Sequence, residues 1–241
     1  MLLQLKNVSK EYQIGDNNIK ALDDVSLEIA EGEFVAVMGP SGSGKSTFLQ
    51  VASILSNPSS GKIFLKNKDV TTYNEVEQAK LRNEEIGFIF QQFNLLPRTS
   101  AIDNVALPLT YAGVSNGEKS RLAKIMLEKV GLADRLKNSP AQLSGGQQQR
   151  VAIARALVNN PSIIFADEPT GNLDSKSGED VKKLLVDLHK EGKTIIMVTH
   201  EAEDASIAKR LVLLRDGKKI SDCPIKCLKD IEKELKEHKK N

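Results

Sequence analysis

A glycine-rich segment carries the residue types that bind a phosphate chain. It reads Gly39-Pro40-Ser41-Gly42-Ser43-Gly44-Lys45-Ser46, matches the pattern G-x-x-x-x-G-K-[ST], and is followed by Thr47. Its glycines let successive N–H groups turn inward, and a helix expected to begin near Lys45 adds the positive end of its dipole. Lys45 supplies a charge for the β- and γ-phosphates, and the Ser46 hydroxyl suits Mg²⁺. This phosphate loop predicts a nucleoside triphosphate site; the alternative is a glycine-rich turn with a chance lysine.

Two carboxylates, Asp167 and Glu168, directly follow the apolar run at residues 162–166. Ligands of parallel α/β sheets bind at the C-terminal ends of the strands. A carboxylate there can hold Mg²⁺ through a coordinated water, and a second one can polarise the water that attacks the γ-phosphorus. We predict the first role for Asp167 and the second for Glu168. The alternative is that two exposed acids end this strand by chance.

A second segment, Leu143-Ser144-Gly145-Gly146-Gln147, also has the composition of a phosphate site. Ser144 is a good N-cap for the helix expected after it, and the two glycines leave the first N–H groups of that helix open to an anion. Considered alone, this LSGGQ segment can equally be a capped helix without a ligand. The chain therefore has two candidate phosphate sites.

Composition and charge exclude several classes of function. The 241 residues are 40% hydrophobic and 27% charged, as in ordinary globular proteins, and the net charge of +2 is too small to indicate nucleic-acid binding. No apolar run approaches the roughly 20 residues that span a bilayer. The first residues lack the features of a signal peptide. We expect a cytoplasmic protein that reaches a membrane only through a partner.

Short strands separated by helices must position these residues. Alternating apolar residues predict half-buried antiparallel strands at 3–5 and 25–29, with a turn at Gly32, and residues 63–65 extend the same small sheet. Apolar runs without alternation are typical of parallel strands covered on both faces, and they occupy residues 86–90, 162–166 and 194–199. A further apolar run at 34–38 precedes the phosphate loop. The fold class is therefore α/β.

The hydrophobic pattern changes between residues 93 and 158. Apolar runs typical of strands are absent there, and apolar residues recur at helical spacing, as at residues 119–130. We predict an all-helical subdomain at 93–158, which carries the LSGGQ segment and is inserted into a core at 1–92 and 159–224. A helical tail at 225–241 has a modest amphipathic period, and a solvated helix docked on the core is favoured there. Its apolar positions are Ile225, Leu228, Ile231 and Leu235.

Cys223 and Cys227 are the two cysteines of the chain. They have no nearby Cys or His pair that would complete a zinc site. We expect them to pack as small apolar residues.

Taken in order, the phosphate loop, the LSGGQ segment with Gln148-Gln149-Arg150 after it, and the acidic pair resemble the nucleotide-binding subunit of an ATP-binding cassette (ABC) transporter. The resemblance covers nearly the whole chain, and LSGGQ between a phosphate loop and its acidic strand is highly specific to this superfamily. It implies a RecA-like P-loop NTPase core with an antiparallel β subdomain and an inserted helical subdomain. It also implies ATP hydrolysis, with Mg²⁺ bound by Ser46, Gln91 and Asp167.

The same resemblance implies roles for four further residues. Tyr12, expected shortly after the first strand, would stack on adenine, although a strand-end tyrosine more often packs. Gln91 would touch Mg²⁺ or the water, with Gln92 as the neighbouring alternative. Asp174 would lie in the loop that crosses to the opposite subunit. His200 would contact the γ-phosphate, whereas a lone histidine at a strand end is usually structural.

For assembly, the resemblance implies a head-to-tail homodimer in which the LSGGQ segment of one chain closes on ATP held by Lys45 of the other. Residues 86–97 and 166–174 look most like the branch that serves MacB-type macrolide exporters, lipoprotein-releasing LolCDE systems, antimicrobial-peptide-sensing exporters and the FtsE–FtsX pair. That branch implies an integral membrane permease partner of the MacB, LolC or FtsX type, and mechanical work at the cytoplasmic side of the membrane. A cytoplasmic helix of the partner would lie beside residues 91–97 and 101–109.

Two rival classes share some of these features. Soluble superfamily members in translation or DNA repair also carry LSGGQ, but they usually have two cassettes or long coiled-coil insertions, and neither is present here. A regulatory protein that binds ATP without hydrolysing it would be expected to lack the carboxylate at 168. Glu168 therefore favours turnover.

Overall fold

The computed structural model describes residues 1–15 and 17–231. Its strands are β1 (Leu3–Ile14), β2 (Asn17–Ile29), β3 (Phe34–Met38), β4 (Ser60–Leu65), β5 (Lys68–Asp69), β6 (Ile86–Ile89), β7 (Ile163–Asp167), β8 (Thr194–Val198), β9 (Arg210–Arg215) and β10 (Lys218–Pro224). Its α-helices are α1 (Lys45–Ala52), α2 (Glu75–Glu85), α3 (Ala101–Tyr111), α4 (Asn116–Lys129), α5 (Gly145–Leu157), α6 (Ser175–Lys190) and α7 (Ala202–Ala205). Short 3-10 helices occupy Pro140–Gln142 and Ile225–Cys227.

The chain folds into two compact units. The first unit comprises Met1–Asn74 and the described residues from Gly192 onward, and the second comprises Glu75–Glu191. The first unit therefore holds the phosphate loop, and the second holds the acidic pair and the LSGGQ segment.

The first unit contains an antiparallel sheet and a mostly parallel one. The antiparallel sheet has the order β2-β1-β4-β5, with Leu5 opposite Leu27 and Ile63. Buried Val25, Leu27 and Ile29 alternate with exposed residues, as predicted from their period of two. In the other sheet, β9 and β8 flank β3 in parallel, and β10 pairs antiparallel with β9. Every residue of β3 and β8 is buried, as expected for strands covered on both faces.

The second unit combines the parallel pair β6–β7 with helices α2 to α6. Helix α5 packs against α3, α4, α6 and β6. Residues 93–158 contain helices and loops but no strand. The prediction that β6 is covered on both faces is wrong, because β6 is an edge strand in which Ile86 and Phe88 are only half-buried.

The C-terminal expectations lie partly outside the described residues. The chain forms a 3-10 helix at Ile225–Cys227, residues 228–231 are helical, and Ile231 is buried, whereas Leu235 lies outside the described part. Cys223 lies on β10 and Cys227 in the 3-10 helix, and both are half-buried free thiols. Burial, together with the neighbouring Cys227 thiol, raises the pKa of Cys223.

Arg210, at the start of β9, ties together three segments of the first unit. Its Nη1 donates to the Glu28 carbonyl (2.8 Å) and to Glu33 Oε2 (3.0 Å). Its Nε and Nη2 donate to the two carboxylate oxygens of Asp222 at 2.7 and 2.9 Å. These hydrogen bonds from Arg210, supported by Lys219, hold the pKa of Asp222 below its usual range.

We expect Asp222→Asn to lower the free energy of unfolding by about 1 kcal/mol at pH 7, a figure that allows for solvent screening of this partly exposed pair. Because the folded-state pKa of Asp222 is depressed, its contribution is present above the unfolded-state pKa and is lost as the pH falls through the folded-state value. Urea unfolding at pH 7, 5 and 3.5 should therefore show that the difference in unfolding free energy between wild type and Asp222→Asn becomes smaller as the pH falls. Asp134→Asn, at an exposed carboxylate, is the control. A difference that grows as the pH falls would contradict this assignment.

Candidate functional site: a phosphate loop, an acidic turn and a capped helix

The phosphate loop connects β3 to α1, and its geometry requires glycine at two positions. A Cβ atom on Gly39 would overlap the carbonyl oxygen of Leu214. Gly44 has a φ of +95°, and a Cβ there would overlap the Ala21 carbonyl oxygen. Any side chain at either position would displace backbone. The loop is therefore packed closely on the first unit, and its shape is set by this packing as well as by its own sequence.

The loop and the start of α1 present groups that suit a polyphosphate. Gly44 is the N-cap of α1 and contributes no side-chain cap, so the first N–H groups of the helix lack that partner. Lys45 Nζ donates to the carbonyl oxygens of Gly39 (2.8 Å) and Pro40 (2.9 Å), which places the ammonium over the loop. Ser43 Oγ is buried and makes no hydrogen bond within the described residues. A helix N-terminus, a cation and an orphaned hydroxyl together fit a triphosphate.

Two other predicted residues lie in the first unit. Tyr12 lies within β1, opposite Ile19, so the expectation that it follows the first strand is wrong; the bulged β1–β2 ladder continues to Ile14. The Tyr12 side chain is 37% exposed, and Lys10 Nζ lies 5.3 Å from its ring centroid. His200 is exposed two residues after β8 ends.

The acidic pair lies at the C-terminal end of β7, as predicted. Asp167 is the last residue of the strand, and Glu168 begins a turn that runs to Gly171, whose N–H donates to the Glu168 carbonyl at 3.1 Å. Glu168 has a φ of +42°, in the left-handed region that residues with a Cβ rarely adopt. Such a conformation costs on the order of 1 kcal/mol and persists only where neighbouring contacts hold it. The direction of the Glu168 side chain is therefore set by a left-handed backbone conformation.

Gln91 follows β6 and lies against this acidic turn. Asn172 Nδ2 donates to the Gln91 carbonyl at 2.9 Å. A Cβ on Gly171 would lie only 2.9 Å from Gln91 Nε2, so the glycine leaves room for the amide. The second unit thus brings Gln91 and the turn of Glu168 together, whereas Gln92 is exposed.

The LSGGQ segment forms a capping box at the start of α5. Ser144 is the N-cap and its Oγ accepts from the Gln147 N–H (3.3 Å), while Gln147 Oε1 accepts from the Ser144 N–H (2.9 Å). The N-cap prediction for Ser144 is confirmed, and the reciprocal bond of Gln147 was not predicted. Gly146 is buried against α6, where an added Cβ would lie 2.6 Å from Ser177 Oγ. The box uses the N–H groups of Ser144 and Gln147 but not those of the two glycines between them.

Asp174 has a local structural role that the sequence interpretation missed. It is the N-cap of α6: its Oδ1 accepts from the Ser177 N–H (3.0 Å) and its Oδ2 from the Ser177 hydroxyl (2.7 Å). These bonds from Ser177 lower the pKa of Asp174. An aspartate three residues before a serine at a helix start was the available signal.

Two side chains of α5 were also missed. Gln149 is completely buried. Arg155 donates to the carbonyl oxygens of Phe93 (2.8 Å) and Asn94 (2.5 Å), in the loop after Gln91. Polar residues among the apolar residues of the helix expected after Ser144 were the signal for both.

Residues 1–15 and 17–231 hold no group of three or more His, Cys, Asp or Glu side chains arranged to bind a metal ion. Over the same residues, no helix has the length and apolar character needed to cross a membrane.

Comparisons with known proteins agree with this architecture. The family model described as ABC transporter matches residues 22–171. The macrolide export ATP-binding/permease protein MacB of Chlorobaculum tepidum is 51% identical over 92% of this chain, which spans only 34% of that protein. The uncharacterized ABC transporter ATP-binding protein YknY of Bacillus subtilis is 50% identical, with coverage of 90% of this chain and 94% of YknY.

A solved structure gives the same result. The dimeric, post-hydrolysis structure of the ATP-binding cassette MJ0796 bound to ADP and Pi superposes with a TM-score of 0.86 and 46% identity. The match covers 93% of this chain and 99% of that one. This confirms the predicted fold class.

Proposed function

The chain belongs to the ABC transporter family, and on that basis we propose that it binds and hydrolyses ATP to drive a membrane partner. The observation that carries the proposal is the phosphate loop, where Lys45 lies over a loop that ends at a helix start without a side-chain cap. MJ0796, 46% identical, has been solved with ADP and Pi, the products of that reaction.

In this proposal the phosphates of ATP bind residues 39–47. The N–H groups of the loop and of α1 donate to phosphate oxygens, and Lys45 exchanges its loop carbonyls for the β- and γ-phosphates. Tyr12 stacks on adenine, for which its exposed ring is suited. His200 contacts the γ-phosphate.

We propose that Ser46, Gln91 and Asp167 hold Mg²⁺, whose charge would neutralise the triphosphate. A hydroxyl, an amide and a carboxylate are the oxygen ligands that this ion accepts while keeping several waters. Glu168 is the base that polarises the attacking water, and its backbone, fixed in a left-handed turn, restricts where the carboxylate can point. Gln91, beside that turn, helps to orient the same water.

The proposed working form is a head-to-tail homodimer. The LSGGQ segment of one chain closes on ATP held by the other, using the N–H groups that its capping box does not consume. Asp174 lies in the segment that crosses to the partner. The dimeric structures of MJ0796 support this arrangement.

We further propose a permease partner of the MacB, LolC or FtsX type, which would place the chain at the cytoplasmic side of a membrane. The relatives named ATP-binding/permease proteins support this partner, although the chain spans only about a third of their length. A cytoplasmic helix of the partner would lie beside residues 91–97 and α3, where Leu96 and Tyr111 are exposed. ATP-driven closure would then perform export or mechanical work.

Mixing two inactive variants tests the proposal. Lys45→Ala removes the phosphate-binding charge, and Ser144→Asp keeps a good N-cap but sets a carboxylate against the partner's phosphates. Each variant alone should be inactive. A one-to-one mixture should recover up to about a quarter of the wild-type rate, since half of randomly formed dimers carry one intact site of two.

Ser139→Asp, at the half-buried N-cap of the preceding 3-10 helix, is the matched control and should keep full activity. Differently tagged chains and co-purification establish that heterodimers form. Co-purifying heterodimers without recovered activity at any ratio would contradict the shared site.

A further inference from the structure

Gln149 is a buried glutamine whose side chain hydrogen-bonds to the backbone beside Gln91 and to the backbone beside Glu168. It lies on α5 one helical turn after Gly145 and is 0% exposed. Resting on the function proposed above, we propose that Gln149 is a positioning residue that holds the turn of Glu168 in its own chain.

The contacts of Gln149 are made by a single nitrogen. Its Nε2 donates to the Pro169 carbonyl at 2.6 Å and, more weakly, to the Phe90 carbonyl at 3.4 Å. Pro169 directly follows Glu168, and Phe90 directly precedes Gln91. One side chain therefore links the backbone on which both residues depend.

The turn of Glu168 needs such support. A left-handed conformation at a residue with a Cβ is held only by its surroundings, and here the Gly171 N–H binds the carbonyl of Glu168 while Gln149 binds that of Pro169. Proline has no N–H, so its carbonyl is the one backbone hydrogen-bonding group through which α5 can hold that residue. The Gln149 bond to the Pro169 carbonyl is therefore one of the contacts that hold the turn of Glu168 in place.

The other amide atom indicates that packing is not the sole role of Gln149. Its Oε1 is buried and has no hydrogen-bond partner among the described residues. A methionine has nearly the same length and volume and would fill this space without burying an unpaired oxygen. The donor function of Nε2 is the feature that an amide adds at this position.

This link has a consequence for the dimer. Helix α5 starts with the LSGGQ segment, which closes on the partner's ATP in the proposed function, and Gln149 lies one turn further along the same rigid helix. Closure of the LSGGQ segment on the partner's ATP would therefore move the Glu168 turn of the same chain. Gln149 would couple the two ATP sites of the dimer.

Gln149→Met tests the positioning role, because it keeps the packing and removes the donor. We expect kcat to fall about tenfold or more, as for misplacement of a catalytic group, while KM and ATP binding stay within about twofold of wild type. Gln78→Met is the control, since Gln78 is a glutamine on α2 that is also buried. It should change stability without changing kcat. An unchanged kcat in Gln149→Met would overturn the inference.

The mixed dimer then shows on which site Gln149 acts. In the pair Lys45→Ala with Ser144→Asp, the intact site uses Glu168 of the Ser144→Asp chain and the LSGGQ segment of the other. Adding Gln149→Met to the Ser144→Asp chain should lower the recovered rate about tenfold, and adding it to the Lys45→Ala chain should leave the rate within about twofold. The assignment of Gln149 to the Glu168 turn of its own chain would be overturned if Gln149→Met lowered the recovered rate only when placed in the Lys45→Ala chain. An equal fall from either chain would overturn it as well.

The two proposals fail separately. If the parent pair recovers no activity, the shared ATP site of the proposed function fails, and kcat and KM of the Gln149→Met homodimer still decide the positioning role.

Discussion

Glu168→Gln should lower the ATP turnover number by about 100-fold or more, the lower range for loss of a positioned general base. Glutamine keeps the size of the side chain and one of its oxygen acceptors, but it cannot take a proton from water. It is also no worse suited than glutamate to the left-handed backbone at this position. Phosphate release by the purified chain at saturating ATP and Mg²⁺ measures the effect.

Glu84→Gln is the matched control, because Glu84 is an exposed carboxylate on α2 in the same unit. Its turnover number should equal that of the wild type. Turnover in Glu168→Gln at the wild-type rate would show that Glu168 is not the general base of the reaction.

Lys45→Ala should weaken ATP binding about 100-fold or more, because two charge-assisted hydrogen bonds at roughly 1.5–3 kcal/mol each are lost. In the structure, Lys45 Nζ donates to the carbonyl oxygens of Gly39 and Pro40 at 2.8 and 2.9 Å. The ammonium therefore already lies beside the loop that is expected to bind the phosphates. Titration calorimetry with ATP and Mg²⁺ compares the variant with wild type.

Lys68→Ala, at an exposed lysine of β5 in the same unit, controls for the lost positive charge. It should bind ATP with unchanged affinity. A Lys45→Ala chain with wild-type affinity would show that the phosphate loop does not hold the nucleotide.

Local patterns were sufficient to predict much of this fold. Every residue of β3 and β8 is buried, and all of them except Thr194 are apolar. The period of two in β2 places Val25, Leu27 and Ile29 inside. The N-cap at Ser144 follows from a side chain at the helix start, and the start of α1 at Lys45 follows from the phosphate-loop pattern. Signals of this kind act over a few residues, so the sequence contains them directly.

Long-range contacts were not predictable in this way. Gln149 binds carbonyl oxygens 20 and 59 residues away, and both belong to backbone that offers no side-chain signal. The half-buried side of β6 depends on that strand being at an edge, which is a property of the sheet rather than of residues 86–89. Asp174 was interpreted through family resemblance alone, although its local pattern already indicates a helix cap.

The measurement that tests the shared ATP site most directly is the mass of the Glu168→Gln chain in solution. Slow turnover should trap the closed form, so light scattering with saturating ATP and Mg²⁺ is predicted to give twice the mass of one chain. The same chain with ADP should remain a monomer. A monomer at saturating ATP would contradict the proposal that the phosphate loop and the LSGGQ segment form one site across two subunits.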